Sequence, residues 1–309
     1  MKLGFGAATW LRVPGLAGLN KMLDDCSLIG FDGLEMSHPA VFDAFYANPK
    51  YYMKLFAIHD LGLSSFYTTL DFDDDWNYQA SVRKAKQVYE LVSEMGSGHV
   101  LLDQAYHTRS RVPGSMRELP KNPKDYVKRM ADTTNELARF GKSEYGLATS
   151  WHQHWGSALM VEDNLHMFLE YTDPDLVNFC MDTAQLYVSG IDPVKIATLY
   201  ANRMVYVHFK DAAIKSRARA EIWPGGPPFP TDDGCYLVNS KAQIIELGRG
   251  DIDFPRITRI LRDANFDGWI VDDHDITPYA PADAAKACLD YLNGALDIWG
   301  ERQIRLKEE

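Results

Sequence analysis

Eight short apolar runs recur along the chain, and the segments between them include clear helix-like patterns. The runs are Leu3–Trp10, Gly33–Ser37, Leu63–Thr69, His99–Gln104, Leu147–His154, Leu176–Asp182, Val205–Asp211 and Gly268–Asp275. Between them lie Ser81–Met95 and Asp125–Lys142, the second preceded by Pro123. In the latter, Val127, Met130, Thr134, Leu137 and Phe140 recur at spacings of three and four, which predicts one buried helical stripe. Strand alternating with helix implies a parallel sheet, and eight such units imply a closed (β/α)₈ barrel. The 309 residues suit this fold, which commonly needs about 250. The expectation is one barrel domain over residues 1–309.

Three irregular stretches break the rhythm: Thr69–Tyr78, Tyr106–Pro120 and Ile222–Glu246, the last containing WPGGPPFP. The longest interruption is a Pro/Gly-rich loop over about residues 213–247. All three follow strands, on the face where barrel enzymes build their sites.

The net charge of −11 and the lack of a dense basic cluster argue against a nucleic-acid partner. The four basic residues between Lys210 and Arg219 fit a solvated helix or loop. No apolar stretch is long enough for a membrane span. The start, MKLGFGAATW, reads as a strand rather than a signal peptide, so a cytoplasmic location is expected. Cys26, Cys180, Cys235 and Cys288 are scattered and read as core thiols.

The chemistry is written at the strand ends. Strand five ends Ser150-Trp-His-Gln-His154, strand six Cys180-Met-Asp182, strand seven His208-Phe-Lys-Asp211 and strand eight Asp272-Asp-His-Asp275. Side chains alternate faces along a strand, so His152 shares a face with His154, His208 with Lys210, and Asp273 with Asp275. Four successive strands then point imidazoles and carboxylates at one mouth, a donor set for one divalent metal. Any single aspartate after a strand has a plainer reading as a helix N-cap, which would suit Asp211 or Asp275.

At this point the sequence resembles the xylose isomerase-like barrels of the sugar phosphate isomerase/epimerase group. The resemblance runs through Ile29-Gly-Phe-Asp-Gly-Leu-Glu35, His59-Asp-Leu-Gly-Leu63, Met181-Asp-Thr-Ala-Gln-Leu-Tyr187 with Gly190-Ile-Asp-Pro193, and Val205-Tyr-Val-His-Phe-Lys-Asp211. Its ending, Glu246-Leu-Gly-Arg-Gly-Asp-Ile-Asp-Phe254 followed by Phe266-Asp-Gly-Trp-Ile-Val271, resembles the inosose dehydratase-like branch. The resemblance implies metal ligands at Asp182 and His208. At the two remaining ligand positions, where the family usually has glutamates, this chain has His152 and Asp273. Where the family usually shows a histidine after the metal aspartate, it has Gln185. The expected ion is manganese, with zinc, cobalt or iron as alternatives.

The expected reaction is proton abstraction beside a carbonyl of a sugar or cyclitol, ending in elimination, isomerisation or epimerisation. Asp273, Glu35 and His154 are candidate bases, and Lys210, His59 and His154 candidate acids. Glu35 and His59 could equally form a hydrogen-bonded pair on the rim. Trp10, Trp151, Trp155 and Trp223 are expected on or near the mouth, where aromatic faces can stack on substrate. Two altered glutamates favour a lyase over reversible two-base exchange. An epimerase, a subunit cleaving 3-oxo-C-glycosides and a scaffold barrel without chemistry are the alternatives. A homo-oligomer or a partner subunit is also expected.

Overall fold

The structure is a computed structural model. It describes residues 1–6, 10, 16–37, 39–73, 75–105, 121–214, 237–239, 242–274, 277 and 279–308. Eight parallel strands close a barrel: β1 (Lys2–Gly6), β2 (Gly33–Met36), β3 (Gly62–Leu70), β4 (His99–Gln104), β5 (Ala148–His152), β6 (Val177–Asp182), β7 (Tyr206–Phe209) and β11 (Trp269–Asp272). Each pairs with its neighbour in sequence order, and β11 closes onto β1 with Leu3 opposite Ile270. All eight strands fall within or beside the apolar runs of the sequence.

Helices cover the barrel where periodicity predicts them. The helix Pro123–Tyr145 opens with proline in its first turn and with Asn122 accepting the Asp125 N–H. It closes on Gly146 at φ 70°, a left-handed cap that glycine adopts without steric cost. Its buried face carries Val127, Met130, Thr134 and Leu137. Gly141 lets the Tyr89 ring lie flush against this helix, because a Cβ there would come within 2.2 Å of the ring.

Inside the barrel, Leu101, Cys180, Tyr206 and Val271 pack together with Tyr67 and Trp269. The bulk of Trp269 is matched by Gly33 opposite, where a Cβ would meet the indole at 2.8 Å.

The long interruption after β7 is not wholly irregular. Strands β8 (Asp211–Ile214), β9 (Leu237–Asn239) and β10 (Ala242–Ile245) form a small antiparallel sheet in the order β8-β10-β9. Residues 211–214 thus extend rather than form a helix. The first irregular stretch is also shorter than expected: β3 runs to Leu70 and the next helix begins at Asp75. The segment 106–120 lies outside the described residues. No described helix is long and apolar enough to cross a membrane. Cys26, Cys180 and Cys288 are buried free thiols, and Cys235 lies outside the described residues.

Candidate metal centre

Strand ends β5, β6, β7 and β11 bring His152, Asp182, His208 and Asp273 together, with one donor atom from each within 4.8 Å of the others. Three are buried and Asp273 is 15% exposed, the most accessible of the four. His152 Nε2 lies 3.3 Å from Asp182 Oδ2, and His208 Nδ1 lies 3.8 Å from Asp182 Oδ2 and 3.4 Å from Asp273 Oδ2. His208 Nδ1 is buried and makes no hydrogen bond of good geometry among the described residues. An orphaned imidazole nitrogen facing two carboxylates fits a metal ligand.

Each donor is held from behind. His208 donates from Nε2 to Glu35 at 2.8 Å, and the same carboxylate oxygen accepts the Tyr206 hydroxyl at 2.8 Å. Asp103 faces His152 Nδ1 at 3.3 Å and accepts the Tyr67 hydroxyl. Asp182 caps the short helix Thr183–Val188, its Oδ1 accepting the Gln185 N–H at 2.9 Å, which leaves Oδ2 for the cluster. Gln153 fixes the Asp182 backbone, donating to its carbonyl at 2.7 Å and accepting its N–H at 3.2 Å. Asp273 fits because Gly6 stands opposite: a Cβ at Gly6 would lie 2.8 Å from Asp273 Oδ1.

Lys210 is 2% exposed, with Nζ 2.5 Å from Asp273 Oδ2 and 3.4 Å from Asp182 Oδ2. Burial alone would raise both carboxyls, but Lys210 and the imidazoles more than offset it and hold both well below the usual carboxylate range. Burial opposes charge on His152 and His208 as well, yet the surrounding acids push both imidazoles up. His154 goes the other way, lowered chiefly by burial. Its Nδ1 faces the Trp155 carbonyl at 2.5 Å and its Nε2 faces Gln185 Nε2 at 3.2 Å. Gln185 thus braces His154 beside the cluster.

Several residues expected at the mouth are elsewhere. His59 follows the helix Pro49–Ile58 and precedes β3, at the opposite end of the barrel, bonded to the Leu55 carbonyl and to Asp24. The Glu35–His59 rim pair therefore does not form; Glu35 turns inward to Tyr206 and His208. Trp151 neighbours inward-facing His152 on β5, so strand alternation turns it outward onto Phe168, ring centroids 4.7 Å apart. Trp10 packs edge-on against Phe5 and donates to Asp25. Of the expected tryptophans among the described residues, only Trp155 lies beside the site, partly buried, its backbone N–H donated to Gln185. Asp211 caps no helix: it accepts N–H groups from Ala212, Gly248, Gly250 and Ile252, tying β8 to the following turn. Trp223 and Asp275 lie outside the described residues.

A model of the xylose isomerase-like TIM barrel family matches residues 23–294. The chain is a xylose isomerase-like TIM barrel. Among curated relatives of this barrel, the inosose dehydratase of Clostridium tetani is 24% identical over 294 residues, covering 90% of the chain and 91% of the relative. The inosose dehydratase of Lacticaseibacillus casei is 24% identical over 310 residues, covering 96% and 98%. Similar solved structures include the IolI protein with a bound zinc atom, at TM-score 0.72, 15% identity, and 96% and 98% coverage. The 3-keto-D-glucoside 4-epimerase of E. coli matches at TM-score 0.68, 16% identity, and 95% and 99% coverage.

Proposed function

We propose that this barrel is a divalent-metal-dependent lyase that removes water from a keto-cyclitol or related keto-sugar, after loss of a proton beside the carbonyl. The observation that carries this reading is the convergence of His152, Asp182, His208 and Asp273 with Lys210 at their side. Two imidazoles and two carboxylates suit manganese first, with zinc, cobalt or iron as alternatives. The full-length likeness to inosose dehydratases supports the substrate class, and the zinc in the IolI protein supports a metal in a barrel of this shape. When bound, the ion supplies Lewis-acid polarisation of the substrate carbonyl.

Asp273 and Lys210 act as one proton-handling unit. The Asp273 carboxylate takes the proton from the carbon beside the carbonyl. Lys210 gives its ammonium proton to the departing hydroxyl, which leaves as water as the carbon–carbon double bond forms. The proton on Asp273 then passes to Lys210, 2.5 Å away, and restores both groups. Acid and base on one side of the substrate suit elimination. An epimerase needs a second proton-handling group on the opposite side; His154, the available imidazole, is braced by Gln185 and Trp155.

The test is conversion of a keto-cyclitol by chelator-treated protein before and after addition of Mn²⁺, Zn²⁺ or Co²⁺, followed by absorbance of the conjugated enone. Metal should restore turnover, and His208→Ala should lose metal and turnover together. Metal-loaded protein that converts no keto-cyclitol or keto-sugar would overturn the reading in favour of a binding or scaffold barrel.

A further inference from the structure

Behind the barrel wall, on the face of β11 opposite Asp273, lies a second polar cluster that the proposed reaction does not use. Asp272 ends β11, His274 follows two residues later, and Cys288 projects from the helix Pro281–Gly294. One donor atom from each lies within 4.8 Å of the others. The side chains are 0%, 2% and 0% exposed.

Two acids in this dry place are only partly partnered: Asp272 faces the Cys288 thiol, and Glu246 accepts the Thr277 hydroxyl. Among the described residues, neither carboxylate oxygen of Asp272 has a hydrogen bond of good geometry. Glu246, 1% exposed, lies 3.7 Å from His274 Nε2 through Oε1, which also accepts the Thr277 hydroxyl at 2.7 Å. Its Oε2 has no hydrogen-bond partner among the described residues. Buried carboxylates left without compensation are unfavourable, so such clusters are paired, protonated or metal-bound. The Leu247 N–H donates to Cys288 Sγ, 3.4 Å away.

We propose that Asp272, His274 and Cys288, with Glu246 as fourth donor, form a second metal site that selects zinc. One thiolate, one imidazole and two carboxylates supply the mixed sulfur, nitrogen and oxygen set that zinc takes in four-coordinate sites. The first cluster has no sulfur donor, so the two sites differ in softness and sort different ions. The second site is closed to solvent, which makes it structural. It staples the end of β11 to the helix Pro281–Gly294 and to the turn at Glu246, behind the strand that carries Asp273.

The experiment is elemental analysis of the intact chain, wild type beside Asp182→Asn and Cys288→Ala, together with cobalt substitution. Wild type should hold two metals per chain. Asp182→Asn should keep a zinc, and after cobalt exchange show the near-ultraviolet band of thiolate-to-cobalt charge transfer. Cys288→Ala should lose that zinc and the band while keeping the other ion. If Cys288→Ala does not fold, the cobalt spectrum of Asp182→Asn decides alone. A single metal in wild type, or no sulfur-derived band in Asp182→Asn, overturns the proposal.

Discussion

His208 turns Nε2 to Glu35, 2.8 Å away, and thereby presents Nδ1 to Asp182 and Asp273. A carboxylate behind a ligating imidazole fixes its tautomer and raises its basicity. Glu35, expected from sequence as a base, thus serves as a positioning residue. Glu35→Ala should weaken metal binding about 10–100-fold, measured by chelator competition. Glu35→Gln should lose less, because its amide oxygen still accepts the Nε2 proton.

Lys210 predicts a different signature. Lys210→Met removes the proposed acid, so kcat should fall roughly 10²–10⁴-fold. Its ammonium is not a metal donor, so the metal content should not fall. Loss of metal equal to that in His208→Ala would show that Lys210 only supports the cluster.

Two glycines separate packing from chemistry. A Cβ at Gly4 would meet Val271 Cγ2 at 2.9 Å, whereas one at Gly6 would meet Asp273 Oδ1 at 2.8 Å. Gly4→Ala should cost about 1–3 kcal/mol of stability by overpacking, with metal affinity unchanged. Gly6→Ala should weaken metal binding and turnover more than it lowers the urea midpoint. Paired denaturation and metal titrations of the two variants check this contrast.

Stability should also depend on pH through His99, which lies inside the barrel with Nε2 2.9 Å from the Ser150 hydroxyl and its ring stacked on Tyr206. Burial lowers its pKa to about 3. Between about pH 6.5 and 3 the unfolded chain accepts a proton that the folded imidazole refuses. Stability therefore falls as pH falls, by up to about 1.4 kcal/mol per pH unit from this group. Urea unfolding of wild type and His99→Gln across that range should show a shallower slope in the variant.

The barrel was legible because eight apolar runs alternate with helical stripes, and strand alternation alone puts His152, Asp182, His208 and Asp273 on inward faces. The same rule, applied to Trp151, would have turned it outward, since it neighbours His152. His59 was misplaced because a family-like motif names a stretch of chain, not the end of the barrel on which it lies. Asp103 and Gln153 were missed although both stand at or just beyond strand ends; their roles depend on partners distant in sequence, Tyr67 and Asp182. In sequence Cys288 reads as a core thiol, and Asp272 only as part of the strand-eight ending. Only the fold brings them together, sixteen residues apart, across the strand–helix interface.

If the four-residue cluster holds a metal that polarises the substrate carbonyl, proton loss from the neighbouring carbon depends on that metal. Proton NMR of a keto-cyclitol in deuterium oxide tests it most directly, by following deuterium uptake at the carbon beside the carbonyl or in the eliminated product. Proton loss should require a divalent metal and vanish in His208→Ala. Equal proton loss with chelator-treated wild type, or with His208→Ala, would contradict it.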